Sequence, residues 1–285
     1  MADPLGLVEV RRALAEDRAA EDVTTGLLGP LADAAVTARF VAEARFVVAG
    51  LPIAQLVFRE LDPGACLESV DGEGDWTAPE KTFATVRATG RAALGGERVA
   101  LNFLQRLSGV ATLTRRAVDA VAGTPASITH TRKTTPGLRA LERYAVRVGG
   151  GMDNRASLAE AVLWKDNHWT LLGTGPRALT EALRGVPPGL PIVVEVESDE
   201  QLDAALAAGV THILADNQTP ERIRRWAGKA GPGVTIQASG GITPETARAY
   251  AEAGATLISI GALTHSAPAV AMTCHVAVDT PRPAL

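Results

Sequence analysis

The cations of this 285-residue chain are unevenly chosen: of 28 basic residues only four are lysines, Lys81, Lys133, Lys165 and Lys229. A lysine inside a polar motif is therefore read for its chemistry. Lys133 follows Arg132 at the end of the apolar run "SITHTR" (127–132), and Lys165 closes "AVLWK" (161–165). With Arg155 they form a cationic group. A guanidinium fork takes a carboxylate or phosphate through two bonds, and an ammonium adds a compact charge. Two further runs carry acids: Glu195 lies in "IVVEV" (192–196), with Glu197 just beyond, and Asp216 ends "HILAD" (212–216). The pair suits Mg2+, which prefers oxygen ligands; the plainer reading is ion pairing with the same cations. The last two runs lead into glycine turns. "VTIQAS" (234–239) leads through Ser239 into Gly240-Gly241, and "LISIG" (257–261) through Gly261 into Ala262. Backbone N–H groups of such turns, with a helix following, hold a phosphate. The plainer reading is a tight turn that needs glycine at positive φ. Taken together, the set fits an anionic, phosphorylated substrate.

A βα barrel would bring these distant residues together. The apolar runs alternate with helical stretches at 137–147, 176–184, 199–208, 220–228 and 244–253, the pattern of a parallel sheet. They are apolar along their length, as strands covered on both faces are. From Glu195 to Asp216, to Ser239 and to Gly261 the steps are 21, 23 and 22 residues, a regularity of repeated units. The C-terminal strand ends of a barrel converge on one face, where active sites sit. Six units rather than eight predict an incomplete barrel. Upstream, "LVEVRRALAED" (7–17) has helical spacing, while "VTARFVAEARFVVAG" (36–50) and "TFATVRAT" (82–89) alternate as strands. Gly95 to Val121 reads as one long helix, started by Gly95 and Gly96 and ended at Gly123. The expected class is α/β, an N-terminal α+β sandwich followed by an irregular, incomplete TIM-like barrel.

Composition excludes several functions. A net charge of -4 argues against a general nucleic-acid binder. Cys66 and Cys274 are isolated, which argues against a zinc knuckle or a disulfide framework. The start Met1-Ala-Asp-Pro lacks a signal-peptide core, and no apolar run is long enough to span a membrane. A cytoplasmic protein is expected.

The blocks "GERVALNFLQRLSGVATLT" (96–114), "TRKTTPGLRALERYAVRVGGG" (131–151), "WKDNH" (164–168), "ASGGIT" (238–243) and "GALTHSAP" (261–268) resemble the quinolinate phosphoribosyltransferase family, the nicotinate-nucleotide pyrophosphorylases of NAD synthesis. The resemblance extends from "EDVTT" (21–25) to Pro268. It implies a sandwich domain at 1–108, a catalytic barrel at 109–268, and a tail, 269–285, that returns to the first domain. It also implies a homodimer, with hexamers left open, in which Arg98 completes the partner's site. Thr131, Arg132, Lys133, Asn154, Arg155 and Lys165 would hold the pyridine dicarboxylate and the pyrophosphate. Glu195 and Asp216 would lie near the ribose and Mg2+. Ser239, Gly240, Gly241, Gly261 and Ala262 would cradle the 5′-phosphate. Lys133, Lys165, Glu195 and Asp216 are the expected catalytic set. The implied reaction is attack of the quinolinate ring nitrogen on phosphoribosyl pyrophosphate with loss of CO2.

Some positions depart from the pattern of the resemblance. Asn154 stands where a histidine is usual, His130 where an aspartate is, and Val193 and Gln237 where acids are common. Asn154→His is expected to improve quinolinate turnover if drift weakened an ancestral contact. The alternative is a paralogue acting on a related heteroaromatic acid. A Schiff-base aldolase using Lys165 and a non-catalytic homologue are the other classes weighed. His168 and His265 are expected to brace loops and His212 to mark a strand entry. Trp76, Trp164, Trp169 and Trp226 are expected to pack, with Trp164 facing away from the barrel interior because it precedes Lys165.

Overall fold

The computed structural model describes residues 3–173 and 175–279, which fall into two compact units. Among the described residues the first comprises 3–113, 135–150 and 267–279, the second 114–134, 151–173 and 175–266.

The first unit opens with α1 (Leu7–Glu16) and the short α2 (Val23–Gly26), whose first N–H groups are capped by the Asp22 carboxylate. Then follow β1 (Ala35–Ala42), β2 (Phe46–Val47), α3 (Leu51–Leu61), β3 (Cys66–Ser69), β4 (Trp76–Thr77) and β5 (Thr82–Thr89). α4 (Gly90–Ala120) and α5 (Arg139–Val148) complete its helices, although α4 runs on into the second unit. β1 alternates strictly, with Val36, Ala38, Phe40 and Ala42 buried, as a strand with one face on a core must. The strand Met272–Val278 pairs antiparallel with β1, and the four-stranded order is Met272–Val278, β1, β5, β3. Phe40, Phe46, Phe58 and Phe83 fill the core, their ring centroids 5.5–6.2 Å apart. The backbone N–H groups of Val47 and Ala49 find Thr112 Oγ1 and Ser108 Oγ of α4, at 2.8 and 3.0 Å.

The structure corrects the start of the long helix. It begins at Gly90, and Gly95 and Gly96 lie inside it. A Cβ at Gly95 would stand 3.1 Å from the Ala19 carbonyl, and one at Gly96 3.1 Å from the Phe58 ring. These glycines let neighbours approach rather than start a helix. α3 was not anticipated either, since Pro52 near its start masks the periodicity that buries Leu51, Ile53, Ala54, Val57 and Phe58. α5 groups with the first unit, although the alternation of runs and helices counts it among the barrel helices. There Glu142 receives Arg106, and the Tyr144 hydroxyl donates to Glu73.

The second unit alternates strands and helices. Its strands are β6 (Ser127–Thr129), β7 (Val162–Trp164), β8 (Ile192–Val196), β9 (His212–Asp216), β10 (Thr235–Ser239) and β11 (Leu257–Ser259). Its helices are α6 (Asp166–Leu172), α7 (Pro176–Leu183), α8 (Asp199–Ala207), α9 (Pro220–Ala230), α10 (Pro244–Glu252) and α11 (Ala262–His265). Ser198 and Thr219 cap α8 and α9 through their hydroxyls, and proline opens α7, α9 and α10. All strands are parallel in the order β6-β11-β10-β9-β8-β7. The first strand thus neighbours the last, as in a closed barrel. Met152 adds an isolated parallel bridge to Thr129 beyond β6. Among the described residues no pairing joins Met152 to β7, so the barrel is open there. β6 is shorter than its apolar run because the Thr131 hydroxyl accepts the Lys133 N–H at 3.1 Å and turns the chain.

Candidate active site

Alternation along the strands decides which side chains meet inside the barrel. Leu163 and Lys165, Val193 and Glu195, Leu214 and Asp216, Gln237 and Ser239, and Leu257 and Ser259 share the inner face. At the C-terminal strand ends lies a cavity of about 300 Å³. It is lined by Thr131, Arg132, Lys133, Asn154, Arg155, Lys165, Glu195, Asp216 and Ser239, all anticipated from sequence, and by Leu163, Leu214 and Ser259, which were not. Each of these three stands two residues before an anticipated one, so strand periodicity alone could have found them. A larger groove of about 460 Å³ lies in the first unit between α1 and α4. Its lining mixes Glu9, Glu16 and Asp17 with Arg12 and Arg106 and gathers no charge of one sign, so the chemistry assigns the smaller cavity.

The cationic side of the cavity is electrostatically loaded. Burial and the neighbouring Arg132 guanidinium both lower the Arg155 pKa, while Glu195 opposes them. A guanidinium whose charge is disfavoured by a neighbouring cation gains when an anion enters between them. Lys165 Nζ lies 3.0 Å from Glu195 Oε2. Glu195 is only 6% exposed, and burial pushes its carboxyl above the usual range, against the pull of Lys165. Trp169 Nε1–H fixes the Glu195 backbone by donating to its carbonyl at 2.8 Å. Lys165 pairs with a carboxylate rather than lying alone, which disfavours the aldolase alternative, whose nucleophile must be a free amine.

The glycine turns follow the last two strands in chain order, β10 and β11. Gly240 and Gly241 have φ of +94° and +63°. A Cβ at Gly240 would lie 2.2 Å from Asn217 Oδ1, so the turn after β10 interlocks with the αL residue Asn217 after β9. Among the described residues no protein acceptor takes the N–H of Gly240, Gly241 or Ile242. Such unpaired donors in a left-handed turn form an anion nest. Gly261 leaves room for the Lys133 stem, 3.3 Å from where its Cβ would be, and Thr264 Oγ1 holds the Lys133 carbonyl at 2.8 Å. Ala262 opens α11. Arg98 is an exposed residue of α4 in the first unit.

The departing positions meet one another. His130 is buried, its Nε2 accepts the Asn154 N–H at 3.1 Å, and its carbonyl accepts Asn154 Nδ2 at 3.1 Å. Asn154 Oδ1 takes the Arg155 N–H at 2.7 Å. Asn154 therefore lines the cavity with both ends of its amide bound to backbone. Gln237 is neutral and hydrogen-bonded on both sides. His168 accepts the Lys165 N–H and braces that loop, as anticipated, and Trp164 packs against His168 and Trp169.

The residues fit a divalent ion only in a limited way. Among the described residues no cluster of three or more His, Cys, Asp or Glu could hold a metal. Glu195 and Asp216 offer two carboxylates on adjacent strands. That suits Mg2+, which keeps waters and substrate phosphate oxygens, rather than an all-protein cage. No helix among the described residues is long and apolar enough to cross a membrane.

Comparison with known proteins agrees with this geometry. The N-terminal and C-terminal domain models of quinolinate phosphoribosyl transferase match residues 22–108 and 110–275. Nicotinate-nucleotide pyrophosphorylase [carboxylating] of Mycobacterium leprae is 44% identical over 265 residues, covering 90% of this chain and 92% of that protein. The probable enzyme of the same name from Bacillus subtilis is 38% identical over 262 residues, 91% of each chain. The crystal structure of NadC from Streptococcus pyogenes superposes with a TM-score of 0.90 at 32% identity, covering 97% of this chain and 99% of that one. Motifs, barrel mouth and these matches agree over nearly the whole length, and the chain belongs to the quinolinate phosphoribosyltransferase family.

Proposed function

We infer that the barrel-mouth cavity carries out the family reaction: transfer of phosphoribose from phosphoribosyl pyrophosphate to the ring nitrogen of quinolinate, with decarboxylation to nicotinate mononucleotide, pyrophosphate and CO2. The carrying observation is the convergence of Arg132, Lys133, Arg155 and Lys165 with Glu195 and Asp216 in one cavity. Arg132, Arg155 and Lys165 grip the two carboxylates and Lys133 meets the pyrophosphate, with Thr131 between them. The turn at Ser239, Gly240 and Gly241, with Gly261 and Ala262, receives the 5′-phosphate. Glu195 and Asp216 stabilise the positive charge that develops at the sugar carbon as the leaving group departs. Most of the acceleration comes from positioning and field. Mg2+, held by Glu195 and Asp216 when bound, would neutralise charge on the pyrophosphate.

We also read the active assembly as a homodimer in which Arg98 enters the partner's site. Exposed Leu5, Val8, Val23, Leu27, Leu28 and Leu31 support a self-associating surface on the first unit. The unpaired thiols Cys66 and Cys274 support a reducing, cytoplasmic location.

The deciding experiment measures pyrophosphate release from phosphoribosyl pyrophosphate across a panel of pyridine carboxylates, with CO2 measured in parallel. Quinolinate should give the highest kcat/KM, with one CO2 per pyrophosphate. Preference for another acid, or release without CO2, moves the chain to the paralogue reading.

A further inference from the structure

Beneath the cavity three polar side chains on adjacent strands form a chain that the reaction above does not use. His212 of β9, Gln237 of β10 and Ser259 of β11 share the inner face. Gln237 and Ser259 are each 3% exposed. His212 Nε2 lies 2.6 Å from Gln237 Oε1, and Gln237 Nε2 lies 2.5 Å from Ser259 Oγ. Ser259 in turn lines the cavity. Barrel interiors are mostly filled by branched apolar residues, and a buried polar group costs free energy unless paired. The three polar groups climb towards the cavity by two residues at each step to the next strand, and they are tolerated because each is hydrogen-bonded to the next.

The chain has a direction. An amide donates only from nitrogen and accepts only at oxygen. His212 Nε2–H donates to Gln237 Oε1, and Gln237 Nε2–H donates to Ser259 Oγ. The Ser259 hydroxyl proton then has no protein acceptor among the described residues and is left for the cavity. Reversing the amide needs a bare Nε2 on His212 and turns the Ser259 proton down towards Gln237. The orientation of Gln237 therefore decides whether the cavity floor donates or accepts. β11 pairs with β6 at Ser259 and Thr129, which places this hydroxyl beside the strand that leads into Arg132 and Lys133.

We propose that Ser259 contacts substrate, donating its hydroxyl proton to a carboxylate of the pyridine dicarboxylate, and that Gln237 and His212 are positioning residues that fix this polarity. The assignment rests on reading the cavity as the pyridine-carboxylate site. It identifies a specificity element for an anionic group at the cavity floor, made by residues that carry no net charge of their own.

The test titrates quinolinate at saturating phosphoribosyl pyrophosphate, then the reverse, with calorimetric quinolinate binding and thermal melting as controls. Ser259→Ala should raise the quinolinate KM about tenfold, the worth of one hydrogen bond to a charged group. The phosphoribosyl pyrophosphate KM and kcat should stay within about twofold. Ser259→Thr, which keeps the hydroxyl, should restore the quinolinate KM; Ser259→Cys serves if the alanine protein fails to fold. Gln237→Met keeps the side-chain volume but gives Ser259 no donor and His212 no acceptor, so nothing fixes which way the Ser259 hydroxyl points. It should raise the quinolinate KM severalfold, by less than Ser259→Ala does, and leave the phosphoribosyl pyrophosphate KM within about twofold. A Ser259→Ala protein with wild-type quinolinate KM, or with both KM values raised alike, overturns the contact. A Gln237→Met protein with the wild-type quinolinate KM overturns the positioning role. A wild-type chain that neither binds quinolinate nor releases pyrophosphate with it overturns the family reading, and the proposal with it.

Discussion

Asn154 offers the sharpest perturbation of the site. Its amide makes two backbone hydrogen bonds, to the buried His130 carbonyl at 3.1 Å and from the Arg155 N–H at 2.7 Å. In Asn154→His the imidazole Nδ1 takes the place of Oδ1 and still accepts from Arg155. The ring carbon Cδ2, however, takes the place of Nδ2, so the His130 carbonyl loses its donor. Removing a hydrogen bond from a buried carbonyl costs about 1–3 kcal/mol. For a chain of this size that lowers Tm by about 2–4 °C per kcal/mol. Asn154→Asp also keeps the Arg155 bond and loses the other, while Asn154→Ala loses both. The loosened segment carries Arg155, and a displacement of about 1 Å in a gripping group can cost about 10²-fold in rate. Tm should therefore be highest for wild type, lower for the Asp and His variants, and lowest for Ala. The kcat/KM for quinolinate should fall in the same order. The assays are thermal unfolding and pyrophosphate release. An Asn154→His protein that melts with wild type and turns quinolinate over faster refutes this account and restores the expectation drawn from sequence.

Three further outcomes are expected. Burial raises the Glu195 pKa, so its contribution to stability is complete at low pH and is lost as pH rises through the raised value. Glu195→Gln should then melt no lower than wild type at neutral pH while kcat falls on the order of 10²-fold; a lower Tm or an intact kcat contradicts this. Mixing Arg98→Ala with Lys165→Ala subunits should recover about a quarter of wild-type activity, since half the dimers are mixed and each has one intact site. No recovery after verified subunit exchange removes Arg98 from the partner's site. Gly109→Ala would set a Cβ 2.1 Å from the Pro268 carbonyl, so it should cost about 1–3 kcal/mol or more in chemical denaturation; an unchanged midpoint shows that Pro268 yields freely.

Much of the site was legible because barrel strands announce their ends. Lys165, Glu195, Asp216 and Ser239 each close or adjoin an apolar run, and parallel pairing brings such ends together wherever they fall in the chain. Less legible was whatever depends on partners distant in sequence. The His130–Asn154 contact spans 24 residues and links two positions that each looked like an isolated departure. Gly95 and Gly96 have the composition of a helix start, but Ala19 and Phe58 decide their role. The grouping of α5 with the first unit depends on the Arg106–Glu142 pair, which no local pattern shows.

The strand Met272–Val278 closes one side of β1, yet β1 is made more than 200 residues earlier. As the chain leaves the ribosome, β1 and β5 can pair, but the other edge of β1 stays bare while the entire barrel is synthesised. An unprotected strand edge is a template for pairing with another chain. During that interval the nascent protein is most exposed to aggregation, and it depends on either fast elongation or a chaperone. Shortened chains that stop before Met272 keep every pocket-lining residue and leave that edge bare for good.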